Sequence, residues 1–475
     1  MQIQRVLLIN PQFRGGYIHS ARWDGLTISG SHWYPIFLAY ATGYLMKYSH
    51  NCKLVDAEAE NISDPEMLQI ARRYKPDFTI IYVSERGLDF NTTLGKKIKK
   101  ATGSKIVFVG PWCSMDIVKK RALEGGIADY LIDGEFEFVL KDVVENRIEK
   151  TLLLIPTMFN FKLTKGTKIK TVIIKSRRLD SGRLNELPWV TKTYKRFLNI
   201  ENYRIGSLYH PFVDMFTGRK CYWGKCSFCL WPNTILKEGG YEARDIEDVL
   251  DEIEWAVKNM DIREIFIQDD TPPAFRCREL AEGIIKRGIK IKWSTYARGD
   301  LTLTPEILRL MKESGCHCLH VGYESGNDEL LKTMNKGVTK ETLTIFTDWC
   351  NNAGIDIHGD FLLGLPGETP RTIRETIDWA KSLNILTYQF ALPKPYPCTP
   401  YYKWMEEHKM FGYNGSVKFE NFTEAEMQNW WATAMKETYF NLRFIRRIIF
   451  RPSEWGRLLT FAKFVIPSML NRGKD

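Results

Sequence analysis

The stretch GRKCYWGKCSFCLWP, residues 218–232, places Cys221, Cys226 and Cys229 on one short loop. Three thiolates so close in sequence can hold an iron-sulfur cluster or contribute to a zinc site. A structural zinc site takes four ligands, and no second pair is at hand. His210 lies before the preceding strand, and Cys316, His317 and Cys318 follow about 90 residues on. Three cysteines on a 4Fe-4S cluster leave one iron free of protein ligands, the open position that catalytic metal sites keep. A metal-stabilised binding protein, with structural cysteines, is the alternative from another class.

The rest of the chain is consistent with reduced thiols. It has 475 residues, 44% hydrophobic and 26% charged, which excludes a disordered chain and a single small module. The opening MQIQRVLLINPQF is too short in its apolar run for a signal peptide, and no stretch reaches the 18 or more apolar residues of a spanning helix. A cytoplasmic location is expected, where cysteines serve metal or redox chemistry rather than disulfides.

Working outward from the loop, six strand-like runs recur between residues 206 and 415: PFVDMFTGRKC, REIFIQDD, KIKWSTYARGD, HCLHVGYESG, DIHGDFLLGLPGE and LTYQFALPKPYP. Helical patterns separate them, among them Ile246 to Asn259, Lys340 to Ala353 and Pro370 to Leu383. Six such units predict a partial (β/α)6 barrel, with its active face at the strand C-termini. From residue 1 to 147, five apolar runs alternate with helices: Arg5 to Ile9, Cys52 to Asp56, Asp77 to Val83, Lys105 to Gly110 and Asp129 to Ile132. They predict a doubly wound, five-stranded, Rossmann-like parallel sheet whose ligand edge carries Asn10, Ser84, Gly110, Pro111, Asp133, Gly134 and Glu135. Residues 148–205 read as a basic linker and 416–475 as a helical, basic C-terminal region.

Taken together, these motifs resemble the radical S-adenosylmethionine enzymes, in which the open iron chelates S-adenosylmethionine and an electron from the cluster cleaves it to a 5'-deoxyadenosyl radical. The family's usual spacing is CxxxCxxC. Here four residues separate Cys221 from Cys226, and Gly224 can absorb the extra one. The resemblance implies cofactor contacts at Phe228, Asp269, Asp270, Arg298 and Glu324, and at Gly364 and Leu365 beside the adenine. Carboxylates suit the cofactor's ammonium and a guanidinium suits its carboxylate. Taken singly, Asp269 and Asp270 could also cap a turn, and Glu324 could pair with a lysine.

The N-terminal domain, with VFVGPWCSM and ADYLIDGEFEF, resembles the cobalamin-binding subclass. It lacks DxHxxG, so cobalamin is expected without a histidine lower ligand, and Gly110-Pro111-Trp112 replaces the usual Gly-Gly-Pro-His. The pairing implies a cobalamin-dependent C-methyltransferase acting on an unactivated carbon. The alternative is radical cyclisation or oxidation on the same scaffold. A low-potential electron donor of flavodoxin or ferredoxin type is implied as well.

Net charge is +10, and residues 443–475 contribute eight basic against two acidic side chains. Arg446, Arg447, Arg451, Arg457 and Lys463 interleave with Phe444, Ile449, Phe450, Trp455, Phe461 and Phe464. That pattern suits a peripheral contact with an anionic membrane and equally a helix packed on the barrel. The tail also resembles the basic helical tails of family members that act on hopanoids and tetrapyrroles, and that resemblance implies a lipid or another hydrophobic small molecule as substrate; nucleic acid is not expected.

Overall fold

Strands that are buried on both faces need continuous apolar runs, and the chain supplies them in two separate sets. The computed structural model describes residues 2–12, 17–20, 23–26, 31–84, 87–147, 171–176, 180–234, 240–412, 416–450 and 455. The chain divides at Arg204–Ile205 into two units, apart from two short segments, Val213–Met215 and Asn233–Glu238, that group with the first.

The first unit holds β1 (Arg5–Asn10), a hairpin of β2 (Tyr17–Ser20) and β3 (Trp23–Leu26), β4 (Asn51–Asp56), β5 (Phe78–Tyr82), β6 (Lys105–Val109), β7 (Tyr130–Asp133) and β8 (Val172–Lys175). Its parallel sheet has the order β4-β1-β5-β6-β7-β8. Val6 to Ile9, Ile80 and Ile81, and Ile106 to Val109 are fully covered, as a sheet flanked by helices requires. The order reverses between β1 and β5, which opens the switch-point crevice at their C-terminal ends.

Two expectations are corrected here. The sheet has six strands, not five, and the sixth, β8, comes from the stretch read as linker. Helices Ser181–Leu184 and Val190–Phe197 follow in the same stretch. β8 offers only three apolar residues at the sheet edge, Val172 and Ile173 half-buried and Ile174 buried, ended by exposed Lys175, so its periodicity is too short to stand out from the lysines around it. Residues 148–170 lie outside the described residues.

After Arg204 come β9 (Phe212–Met215), the short pair β10 (Gly218–Arg219) and β11 (Glu242–Ala243), β12 (Glu264–Ile267), β13 (Lys292–Ala297), β14 (Cys316–Glu324), β15 (Asp356–Leu362) and β16 (Thr387–Ala391). Six of them form a sheet of linear order β16-β15-β14-β13-β12-β9, each step from β12 to β16 advancing one strand in sequence through parallel pairs. The helices Ile246–Asn259, Lys340–Ala353 and Pro370–Ser382 fall where the apolar periodicity puts them. Thr339 and Thr369 cap the last two through their side chains.

The edge strand β16 is covered rather than free. Helix Glu424–Tyr439 lies along it, with Trp431 Nε1 donating to Phe390 O at 2.8 Å and Tyr439 OH to Tyr388 O at 2.7 Å. Helix Leu442–Ile449 follows. Arg451, Arg457, Phe461, Lys463 and Phe464, on which the membrane reading partly rests, lie outside the described residues. Among those described, no helix is long and apolar enough to cross a membrane.

Candidate active site

The cysteine loop is first latched to the strand beside it. Asp269, just beyond β12, is wholly buried and accepts from Thr217 N at 2.8 Å, Thr217 Oγ1 at 2.6 Å, Gly218 N at 3.1 Å and Tyr241 OH at 2.5 Å. Burial pushes its carboxyl up, and these bonds and Arg276 pull it back. The Arg276 guanidinium in turn donates to Thr217 O at 2.7 Å and Arg244 O at 2.9 Å. One residue on, the Asp270 carboxylate accepts from Lys220 N at 3.0 Å, and Cys221 pairs with Thr271 as a parallel bridge. Lys220 sits at φ 78°, a costly conformation for a side-chain-bearing residue that this bond and the bridge hold in place.

Beyond Cys221 the loop is gripped from its far side. Gly224 turns at φ 61°, which is how the longer interval between Cys221 and Cys226 is accommodated. Ser227 N donates to Met334 O at 2.9 Å, Asn335 Nδ2 to Lys225 O at 3.1 Å, Trp223 Nε1 to Asn335 O at 2.9 Å and Tyr401 N to Ser227 O at 3.0 Å. The three cysteines are free and half-buried, and Phe228 lies half-buried between the last two. Burial pushes the Cys226 and Cys229 thiols up. Each of these two thiols feels the charge of Cys221, and Cys229 that of Cys226 as well. Among the described residues no three His, Cys, Asp or Glu side chains are already closed into a metal-binding group.

Around these thiols the strand ends bring together Asp270, Arg298 and Glu324: the Cys226 thiol feels Lys336, Glu324 and Arg298, and the Cys229 thiol feels Asp270. Arg298 donates to Lys336 O and contacts Asp300 Oδ2 at 3.2 Å. Glu324, at φ 63° where the β14–β15 register shifts, pairs with Lys336 Nζ at 2.8 Å. Other expected contacts are engaged within the protein. Asp269 has its oxygens committed to Thr217, Gly218 and Tyr241, and the N–H groups of Gly364 and Leu365 donate to Glu368 Oε2. Trp223, Asn335 and Lys336 were not read from the sequence; the Asn335-Lys336-Gly337 turn after a helix was the available signal.

In the first unit the expected residues do gather at one sheet edge. Asn10 Nδ2 donates to Asp56 Oδ1 at 2.8 Å, and Ser84, buried beyond β5, accepts from Gly87 N at 2.9 Å. Gly110, at φ 116°, lies against the Tyr82 ring, and Pro111 opens the short turn Pro111–Ser114. Asp133 is tied to Ser114 Oγ at 2.5 Å and Lys119 Nζ at 2.8 Å. Gly134 is crowded by Ser176, and Glu135 is buried. Asp56 was missed: burial pushes its carboxyl up to about 6 against the bonds from Asn10 and Tyr203. His50 lies at the opposite edge, before β4, accepting from Gln4 N and facing Glu145 at 3.5 Å.

Residues 215–380 match the Radical SAM superfamily. An uncharacterized methyltransferase of Pyrococcus horikoshii is 24% identical over 410 residues, covering 84% of this chain and 82% of that protein. Anaerobic magnesium-protoporphyrin IX monomethyl ester cyclase of Rubrivivax gelatinosus is 25% identical over 417 residues, covering 83% of this chain and 68% of the cyclase. The structure of the radical S-adenosylmethionine methyltransferase TsrM from Kitasatospora setae, with cobalamin and a 4Fe-4S cluster bound, aligns over 92% of this chain and 89% of its own, at 16% identity and a TM-score of 0.66. The chain thus carries a radical S-adenosylmethionine domain over residues 215–380. Its two units have the fold of the family's cobalamin-dependent members.

Proposed function

We propose that this enzyme transfers a methyl group by way of cobalamin to an unactivated carbon of a hydrophobic small molecule. The observation that carries the reading is the cysteine trio at the strand ends of a partial barrel, in a chain whose first unit opens a switch-point crevice. The donor set fits a 4Fe-4S cluster: three free thiols on one loop, neighbours of one another, with the loop backbone held on both sides. Burial pushes the Cys226 and Cys229 thiols up, and ligation would deprotonate them. Asn10 and Ser84 stand at the strand ends where such sheets take a ligand, and His50, at the far edge, is no candidate for a lower ligand. Cluster, S-adenosylmethionine and cobalamin, when bound, supply the radical and the methyl group.

The residues' own work is to bind and orient. Asp270 and Glu324 offer carboxylates to an ammonium, Arg298 offers a guanidinium to a carboxylate, and Phe228, Gly364 and Leu365 line the remaining contact. Asp269 serves them by fixing Thr217 and Gly218. A flavodoxin- or ferredoxin-type protein is the proposed reductant. The exposed Leu442, Ile445, Ile449, Phe450 and Trp455 beside Arg446 support a peripheral membrane contact, consistent with a lipid-like substrate.

The relative that is a cyclase favours a second reading, ring closure without methyl transfer. Anaerobic reconstitution with iron, sulfide and cobalamin, followed by product analysis, decides between them. Methyl transfer yields both 5'-deoxyadenosine and S-adenosylhomocysteine; cyclisation yields only the first. Replacing Cys221, Cys226 and Cys229 with alanine should abolish iron binding and both products. If the triple variant still bound iron and cleaved S-adenosylmethionine, the assignment would be lost.

A further inference from the structure

The interval between Cys221 and Cys226 carries two aromatic residues, and both reach the same arginine. The Trp223 ring stacks on the Arg298 guanidinium, 4.1 Å from centroid to Cζ. Tyr222 OH donates at 2.5 Å to Asp300 Oδ2, the oxygen that Arg298 Nε meets at 3.2 Å. The slot for Trp223 exists because residue 337 is glycine. A Cβ there would collide with ring atoms Cζ2 and Cη2 and come within 2.9 Å of Arg298 Nη2. Gly337 also adopts φ 69°, which other residues rarely do. Trp223 Nε1 closes the slot on Asn335 O.

Arg298 is thereby fixed on three sides: by the ring, by Asp300 and by Lys336 O. Its Nη1 carries two N–H groups that have no partner among the described residues, although the side chain is only 4% exposed. A guanidinium edge left unpaired is an anion point, and a planar carboxylate is the group it fits best.

We propose that Trp223 is a positioning residue that aims the free edge of Arg298 at the carboxylate of S-adenosylmethionine, and that the widened cysteine interval exists to insert it. The inference rests on the function proposed above. A residue serving only to hold the loop would change how much cluster is bound. A residue that aims Arg298 changes cofactor affinity at full cluster loading.

Trp223→Phe, Trp223→Ala and Gly337→Ala test this on the anaerobically reconstituted full chain. The readouts are iron and sulfide content, the change that S-adenosylmethionine makes in the spectrum of the reduced cluster, and the KM and kcat of uncoupled 5'-deoxyadenosine formation. Loading should match wild type in all three. The half-saturating S-adenosylmethionine concentration should rise about tenfold or more in Trp223→Ala and less in Trp223→Phe, as expected for a desolvated cation–π contact. Gly337→Ala should match Trp223→Ala although its tryptophan is intact, and kcat should change little. Wild-type affinity in Trp223→Ala would overturn the proposal, as would loss of iron in parallel with affinity across the series. A wild-type protein that binds iron but shows no response to S-adenosylmethionine would remove the parent reading and this inference with it.

Discussion

The Lys336 ammonium donates to Glu324 Oε1 at 2.8 Å, directly over the bare Cα of Gly322. Both side chains are at most 10% exposed. Burial works against both charges and pushes the Glu324 carboxyl up against the pull of Lys336, while Glu324 in turn holds Lys336 above its ordinary range. Gly322 is what makes room: a Cβ there would sit 2.5 Å from Glu324 Oε1 and 2.8 Å from Lys336 Nζ. Removing one partner of such a pair strands a buried charge, at a cost of about 3–5 kcal/mol. Lys336→Met should therefore destabilise strongly, and the double variant Lys336→Met/Glu324→Gln should recover part of that loss. Chemical denaturation of the four proteins in the cycle checks it. Additive effects would show the contact to be energetically idle.

Asp269 and Asp270 can be told apart by conservative substitution. An asparagine at 269 keeps one oxygen for Thr217 N and Gly218 N, while Thr217 Oγ1 and Tyr241 OH can turn to accept from its amide. Asp269→Asn should thus leave the S-adenosylmethionine KM near wild type, whereas Asp269→Ala should lose cluster content through a loosened loop. Asp270→Asn, by contrast, weakens a carboxylate proposed to face the cofactor and should raise that KM about tenfold, the scale of a charge-assisted hydrogen bond. A large KM change in Asp269→Asn would return that residue to the cofactor's own contacts.

That pair also marks where sequence reading stops. Successive residues at a strand end point to opposite sides, so two adjacent carboxylates look alike in sequence and differ completely in the fold. The cysteine loop was legible because its chemistry sits within nine residues, and β9 and β12 to β16 because each lies in an apolar run set off by a helical pattern. Trp223, Asn335 and Lys336 were not, because the contact between residues 223 and 335 spans 112 positions and only folding creates it. β8 was lost for the opposite reason: its local signal is three residues long.

In the first unit, Tyr203 stacks on Tyr34 with ring centroids 3.8 Å apart and donates its hydroxyl to Asp56 Oδ2 at 2.8 Å. Tyr203→Phe keeps the stack and removes one donor from a buried carboxyl. A hydrogen bond to a charged group contributes about 1.5–3 kcal/mol, and Asp56, already pushed up to about 6, would be only partly ionised below neutrality. The expected loss is therefore about 2 kcal/mol at pH 8 and smaller at pH 5, measured by urea denaturation at both. An equal loss at the two pH values would mean that Asp56 keeps its charge throughout.

Glu368 supplies the sharpest dependence on pH. Its Oε2 braces the Gly364 and Leu365 N–H groups, while Oε1 is buried without a hydrogen-bond partner among the described residues. Burial pushes the carboxyl up from 4.5 to about 7, with the two backbone bonds pulling the other way. The fold therefore favours the protonated form. Stability from this group is fully present below about pH 4.5 and is lost as pH rises through about 7. At 1.36 kcal/mol per unit of pKa shift, the loss across that window is about 3 kcal/mol. Glu368→Gln preserves an acceptor for both N–H groups and does not titrate, so any cost of its amide is the same at every pH. The variant should gain on wild type by about 3 kcal/mol between pH 4.5 and 7, with the difference level outside the window. Thermal or urea unfolding of both proteins at half-unit pH steps measures it, and parallel curves would show Glu368 to be ionised in the fold across the whole range.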